Sequence, residues 1–271
     1  MHRQLIAAVL FLFFTSCVYH RSFVATSYEP VLVKDKGDLT VSAGMRPFKY
    51  YNVEVTAMPA HHLAFRAGYG GFFGLDNFYG SLLYVKDFTK YGMYVGPTLN
   101  YQHNIISREL PGLLFTNHRR YSYDCEYMSP GLVAGMRLLG DAEDESFQLI
   151  LKAQYNLTQK YEYYFFNENN PDLAASYAVK DEEQLTRRIP DFFSIEPQFV
   201  YITPLSPNFI VKAHIGFNLV QHSFRHEYQY NDAAYDPKLH DAVSNHPKYL
   251  PVNIGIGIIF RHGKAEREPR G

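Results

Sequence analysis

Residues 250–261 alternate with a period of two. Val252, Ile254, Ile256, Ile258 and Phe260 share one face, and Asn253, Gly255, Gly257, Ile259 and Arg261 share the other. Successive side chains of a strand point to opposite sides, so this stretch has one large apolar face and one small or polar face. Two folds supply such unlike surroundings. In a soluble sandwich the apolar face meets a second sheet; in an outer-membrane barrel it meets lipid and the other face lines the lumen.

The pattern recurs along the chain. Leu39–Met45, Tyr51–Ala57, Leu63–Tyr69, Tyr79–Val85, Met93–Tyr101, Met128–Leu138, Phe147–Leu157, Phe193–Tyr201 and Phe209–Leu219 all alternate, with the closing strand as the tenth. The fourth alternates least clearly, and its reading puts Tyr79, Ser81, Leu83 and Val85 outward with Gly80, Leu82, Tyr84 and Lys86 inward. The expected fold is all-β, a single antiparallel up-and-down transmembrane β-barrel of about ten strands, with eight to twelve admissible. Pro97, Pro130, Pro197 and Pro251 each remove a ladder donor, so they are expected at bulges or strand ends.

Loop parity favours the barrel independently. The long connections Ile105–Arg120, Asn167–Pro190 and Glu227–His246 follow the fifth, seventh and ninth strands and open on one side. Short turns near Pro59, Thr89, Asp141 and Ser206 fall on the other side with both termini. Membrane barrels are built this way, with short periplasmic turns and long outer loops. The expected lumen faces carry Glu54, Arg66, Lys86, Arg137, Lys152, Glu196, Lys212 and His214. A lipocalin-like barrel reverses this, with an apolar interior. These charges are expected to form a paired network that plugs a narrow lumen, because an unpaired buried charge is costly.

Composition narrows the class further. A hydrophobic content of 46% excludes general disorder, and abundant Tyr (23) and Phe (21) without Trp suits strands with aromatic girdles. A net charge of −1 speaks against nucleic-acid binding. The apolar run from Leu5 to Phe14 after Arg3 has the proportions of a secretory signal peptide and is too short to span a bilayer. Beyond Cys17 the chain holds only Cys125, which leaves no zinc-type spacing.

Thr15-Ser16-Cys17 resembles a bacterial lipobox, which implies lipidation at Cys17. The domain reading is then a lipoprotein signal peptide at 1–16, a lipidated tether at 17–37, an outer-membrane barrel at 38–262 and a basic tail at 263–271. Asn253, Gly255, Ile258 and Phe260 resemble the signal by which barrels are recognised for insertion, which implies the outer-membrane barrel assembly machinery as a partner. The opening Tyr51-Asn-Val-Glu-Val-Thr-Ala57, with Pro59 and His62-Leu-Ala-Phe-Arg66, resembles small outer-membrane barrel lipoproteins of Bacteroidota. That resemblance implies a bacterial outer-membrane location, a lipid anchor at Cys17 and termini on the periplasmic side. It brings no catalytic residues.

Catalytic and metal readings compete with blander ones. Asp124, Glu126, Asp191, His118, His222 and His226 fall near the loop side, as rim acids and histidines do in omptin-type proteases. So many His and acidic residues in polar loops meet by chance, and His61-His62 and His222/His226 read as solvated histidines. No catalytic residue, metal or cofactor is expected. The expected function is structural or interaction-based, with membrane lipids and an outer-membrane protein as partners. A narrow solute channel and a rim hydrolase are the alternatives.

Overall fold

A computed structural model describes residues 30–46, 50–72, 75–88, 91–110, 119–139, 146–167, 175–179, 191–206, 208–220 and 252–262. The signal segment, Cys17, His118, His222, His226, Pro251, the 227–246 connection and the 263–271 tail lie outside them.

The described strands are β1 (Leu39–Arg46), β2 (Tyr50–Ala60), β3 (Leu63–Phe72), β4 (Leu75–Asp87), β5 (Tyr91–Leu110), β6 (Arg119–Leu139), β7 (Ser146–Asn167), β8 (Ala175–Val179), β9 (Phe192–Pro204), β10 (Phe209–Phe217), β11 (Leu219–Val220) and β12 (Val252–His262). From β1 to β7 each strand pairs antiparallel with the next. The ring then runs from β7 to β9, β10 and β12, and closes where Val41 of β1 faces Phe260. Ten staves therefore make a closed up-and-down barrel without an unpaired sheet edge along its wall. The short β8 adds to the far part of β7, and β11 continues β10 against Ile195 and Ser194.

The barrel is inside-out relative to a soluble one. Leu132, 61% exposed, stands on the outer wall with Val95, Leu151, Ile256 and Ile258. Glu54, Arg66, Lys152 and Lys212 are buried inside. Aromatic residues gather where the wall meets the two interfaces. Tyr69, Phe78 and Tyr101 follow one another across β3, β4 and β5 towards one end, while Phe65, Tyr84, Phe147, Tyr201, Phe209 and Phe260 stand near the other. An apolar belt between aromatic girdles is the surface a bilayer solvates, so this is a transmembrane barrel.

The short connections β2–β3, β4–β5, β6–β7 and β9–β10 share one end with residues 30–38 and with His262; we call it the near end. The connection after β2 is tight: His62 adopts φ 63° and its Nδ1 lies 3.0 Å from the Val85 carbonyl oxygen. At the far end β5, β6 and β7 run for 20, 21 and 22 residues. About 9–11 residues cross a bilayer, so roughly half of each strand stands beyond it. Residues 105–110 and 119–120 of the Ile105–Arg120 connection are thus strand, and β7 runs on through Asn167. The cause is pairing: a hairpin rich in Ile, Tyr and Phe continues to zip where lipid ends.

Pro97, Pro130 and Pro197 sit within strands. Pairing of β4 with β5 passes from Ser81–Thr98 to Tyr84–Val95 and skips Pro97, and β6 with β7 skips Pro130 between Met128–Leu157 and Gly131–Gln154. Pro197 stays opposite Leu151. Pro97 and Pro130 therefore cost local ladder contact, and none of the three ends its strand.

Residues 30–38 are not a free leader. Val31, Leu32 and Val33 are buried in one apolar cluster with Met58, Leu83, Val85, Ile150, Val200, Ile202 and Ile259, whose side chains face the near end of the lumen. Gln148 donates to the Val31 carbonyl at 3.2 Å. A turn then reverses the chain into β1, held by Asp38, whose carboxylate accepts from the backbone N–H groups of Lys34 at 2.8 Å and Asp35 at 3.0 Å. Gly37 and Met58 also exchange chain contacts, with Gly37 N donating to Met58 O and Met58 N to Asp38 O.

Candidate functional site

The lumen is organised by a rule visible in the register. A long side chain on one stave lies across a glycine of the next and meets a polar residue beyond it. Arg137 faces Gly92, Gly92 faces Asp87, and Arg137 Nη2 donates to Asp87 Oδ1 at 2.6 Å. A Cβ on Gly92 would stand 2.3 Å from that oxygen. Lys212 faces Gly257, which faces Gly44, which faces Asn52; its Cε would lie 2.4 Å from a Cβ at Gly257. His214 covers Gly255, Tyr94 covers Gly135, and Tyr79 covers Gly68 beside Glu54. Glycine is needed at these places because the covering ring or chain occupies the space of a side chain.

Between these tracks the charges pair. Arg66 Nε lies 3.0 Å from Glu54 Oε1, which also accepts from Thr56 Oγ1 at 3.3 Å. The Arg66 guanidinium stands 5.8 Å from the Tyr94 ring centroid, a cation–π distance. Lys152 and Glu196 face each other across β7 and β9 and form an ion pair, and Gln154 donates to Glu196 Oε1 at 3.2 Å. Farther from the near end Asn156 donates to Ser194 Oγ at 2.9 Å and to the Phe192 carbonyl at 3.2 Å. Asn100, Gln102, Asn104, Asn218 and Asn253 line the same region, all buried. The lumen thus holds an apolar cluster and the Arg137–Asp87 pair at the near end, the Glu54–Arg66 and Lys152–Glu196 pairs in the middle and amides above.

Two positions correct the expected network. Lys86 is outside it: Val85 is buried and Lys86 is exposed, with its ammonium 5.2 Å from the Phe88 ring centroid. The weak alternation of β4 hid its phase. Tyr79, Ser81, Leu83 and Val85 face in, while Phe78, Leu82 and Tyr84 face lipid. The same slip concealed Asp87, the carboxylate that Arg137 meets. Of the other positions read from the sequence, Glu54 and Arg66 come together, Lys152 and Glu196 come together, and Lys212 and His214 lie over Gly257 and Gly255. Asn253 and Gly255 face the lumen, and Ile258 and Phe260 face out.

A second constellation lies on the outer wall, one step beyond the aromatic girdle at the far end. Asp76, His103, Glu126 and Lys160 follow one another across β4, β5, β6 and β7. His103 Nε2 is 3.1 Å from Asp124 Oδ1 and 3.4 Å from Glu126 Oε1. Lys160 binds the other Asp124 oxygen, Oδ2. Partial burial pushes the Asp124 carboxyl up, but hydrogen bonds and charge from Lys160 and His103 outweigh it, so its pKa lies below the usual value. The hydrogen bond to Asp124 in turn raises the Lys160 ammonium. Sequence reasoning named Asp124 and Glu126 but missed His103, since only the β5–β6 register brings the imidazole to them. Asp191, also named there, instead accepts from the Thr158 backbone N–H at 3.0 Å. Cys125 is buried, and burial pushes its thiol up.

No protein-family profile matches the chain, and no curated protein does. Solved structures similar to it include the translocator domain of autotransporter NalP from Neisseria meningitidis, 10% identical over 83% of this chain and 85% of that one, with a TM-score of 0.35. CarO2 of Acinetobacter baumannii is 13% identical over 84% and 100%, at 0.26, and CarO of the same organism 11% over 83% and 97%, at 0.23. The transmembrane assignment rests on the barrel's own inside-out geometry.

Proposed function

We propose that this barrel is self-sealed and serves a structural or protein-interaction role, without conducting solutes and without catalysis. One observation carries the reading: Arg66, Lys152 and Lys212 are 0–1% exposed in the lumen, and Val31, Leu32 and Val33 occupy its near end. A water-filled channel hydrates such charges; here each lies among protein groups.

On this reading the near end faces the periplasm of a bacterial outer membrane. A lipid on Cys17 anchors the N-terminus there, and the protruding ends of β5, β6 and β7 present the working surface outside to a protein partner. The near-end placement of both β1 and the end of β12 supports the common side of the termini. Asn253, Gly255, Ile258 and Phe260, on a strand that closes the barrel against β1, suit recognition by the assembly machinery.

Labelled palmitate and a Cys17→Ser variant test the anchor: label should enter the parent and be absent from the variant, and label retained in the variant contradicts it. Co-purification in detergent tests the partner. Steady conductance by the purified parent contradicts the sealed reading and puts the channel first.

A further inference from the structure

We propose that His103, Asp124 and Glu126 form a divalent-metal site of the zinc class on the outer wall, at the foot of the protruding sheet. The inference is independent of the sealed-lumen reading. One imidazole nitrogen and two carboxylate oxygens converge here, all within 4.8 Å of one another. Two of the separations, 3.1 and 3.4 Å, match the edge of a tetrahedron around a metal bound at about 2.1 Å, which is about 3.4 Å.

The ligands come from two paired strands: His103 on β5 faces Glu126 on β6, and Asp124 stands two residues along. Strand pairing therefore holds the donors in place, with no loop involved. Lys160 takes Asp124 Oδ2 and leaves Oδ1 turned to His103, as an outer partner that orients a ligating carboxylate. Asp76 faces His103 and Glu162 faces Asp124, so four carboxylates surround one lysine and one histidine. That excess of negative charge favours a dication. The imidazole selects among dications, since calcium and magnesium prefer all-oxygen sites. Three protein donors leave a fourth position for water or another ligand. Bound metal ties β5 to β6 where the sheet leaves the membrane, so it stabilises the folded state by linkage.

The test uses the full chain, folded in detergent, titrated with Zn²⁺, Co²⁺ and Ca²⁺. The expected result is one equivalent of Zn²⁺ bound, a raised Tm, and the intense visible bands of tetrahedral Co²⁺. His103→Ala and Glu126→Gln should lose the Co²⁺ bands and the Zn²⁺-dependent Tm shift while keeping heat-modifiable gel migration. His61→Ala, at an exposed turn histidine, should keep both. Absence of stoichiometric Zn²⁺ binding overturns the proposal. So does binding that survives His103→Ala and Glu126→Gln, or Ca²⁺ binding as tight as Zn²⁺ binding and indifferent to His103→Ala.

Discussion

Glu54 and Glu196 each pair with a buried cation, Arg66 and Lys152 respectively. Neutralising either carboxylate leaves its cation as a buried charge, and breaking such a pair costs about 3–5 kcal/mol. Glu54→Gln and Glu196→Gln should therefore lower the unfolding temperature in detergent clearly, whereas Lys36→Gln, at an exposed turn, should leave it near the parent. Gly92→Ala acts on the same interior by sterics. Its new Cβ falls 2.3 Å from Asp87 Oδ1 and 3.1 Å from Arg137 Nη2, so the pair must part or shift. A loss of about 1–3 kcal/mol is expected, typical of overpacking. Thermal unfolding followed by heat-modifiable migration reads both. These residues show where sequence reasoning succeeds. Glu54, Arg66, Lys152 and Glu196 sit in strands with clean alternation, so their faces were legible. Their pairing was legible only as charge balance, because register decides which charge meets which.

Elements differ in how much they disclose. β12 and β2 announce both faces, since every second residue is bulky and apolar. β4 does not: Tyr79 and Leu83 on its inner face are as apolar as Phe78, Leu82 and Tyr84 on its outer one. Its inner face packs against Val31–Val33, so apolar residues were needed on both sides and the alternation vanished. The consequence is testable. Leu82→Arg, on the lipid face opposite Phe65, should cost clearly more stability in a bilayer than Lys86→Ala, which should cost little. A large loss from Lys86→Ala together with a silent Leu82→Arg would reverse the phase of β4. The lengths of β5, β6 and β7 were hidden for another reason. Pairing beyond the membrane needs no apolar face, so the periodic signal stops while the strand continues.

At the scale of the whole molecule, the proposed seal rests on two layers in the lumen. An ionic layer of Glu54, Arg66, Lys152 and Glu196 crosses the middle, and Val31–Val33 fill the near end. The ten-stave architecture and the side shared by the turns were readable from alternation and loop parity. The apolar insertion was not, because three apolar residues within a polar leader carry no period. Only closure of the barrel around them gives them a place. Since the insertion comes from the leader and not from a strand, it can be disturbed without breaking the ladder. The double variant Leu32→Asp/Val33→Asp places two carboxylates in an apolar cluster and should expel the segment while the ten staves remain. Conductance across a planar bilayer is the direct measurement. The parent should be electrically silent, Leu32→Asp/Val33→Asp combined with Glu54→Gln should produce channel events, and each should keep heat-modifiable migration. A parent that conducts steadily, with an unchanged trace in the combined variant, contradicts the sealed barrel.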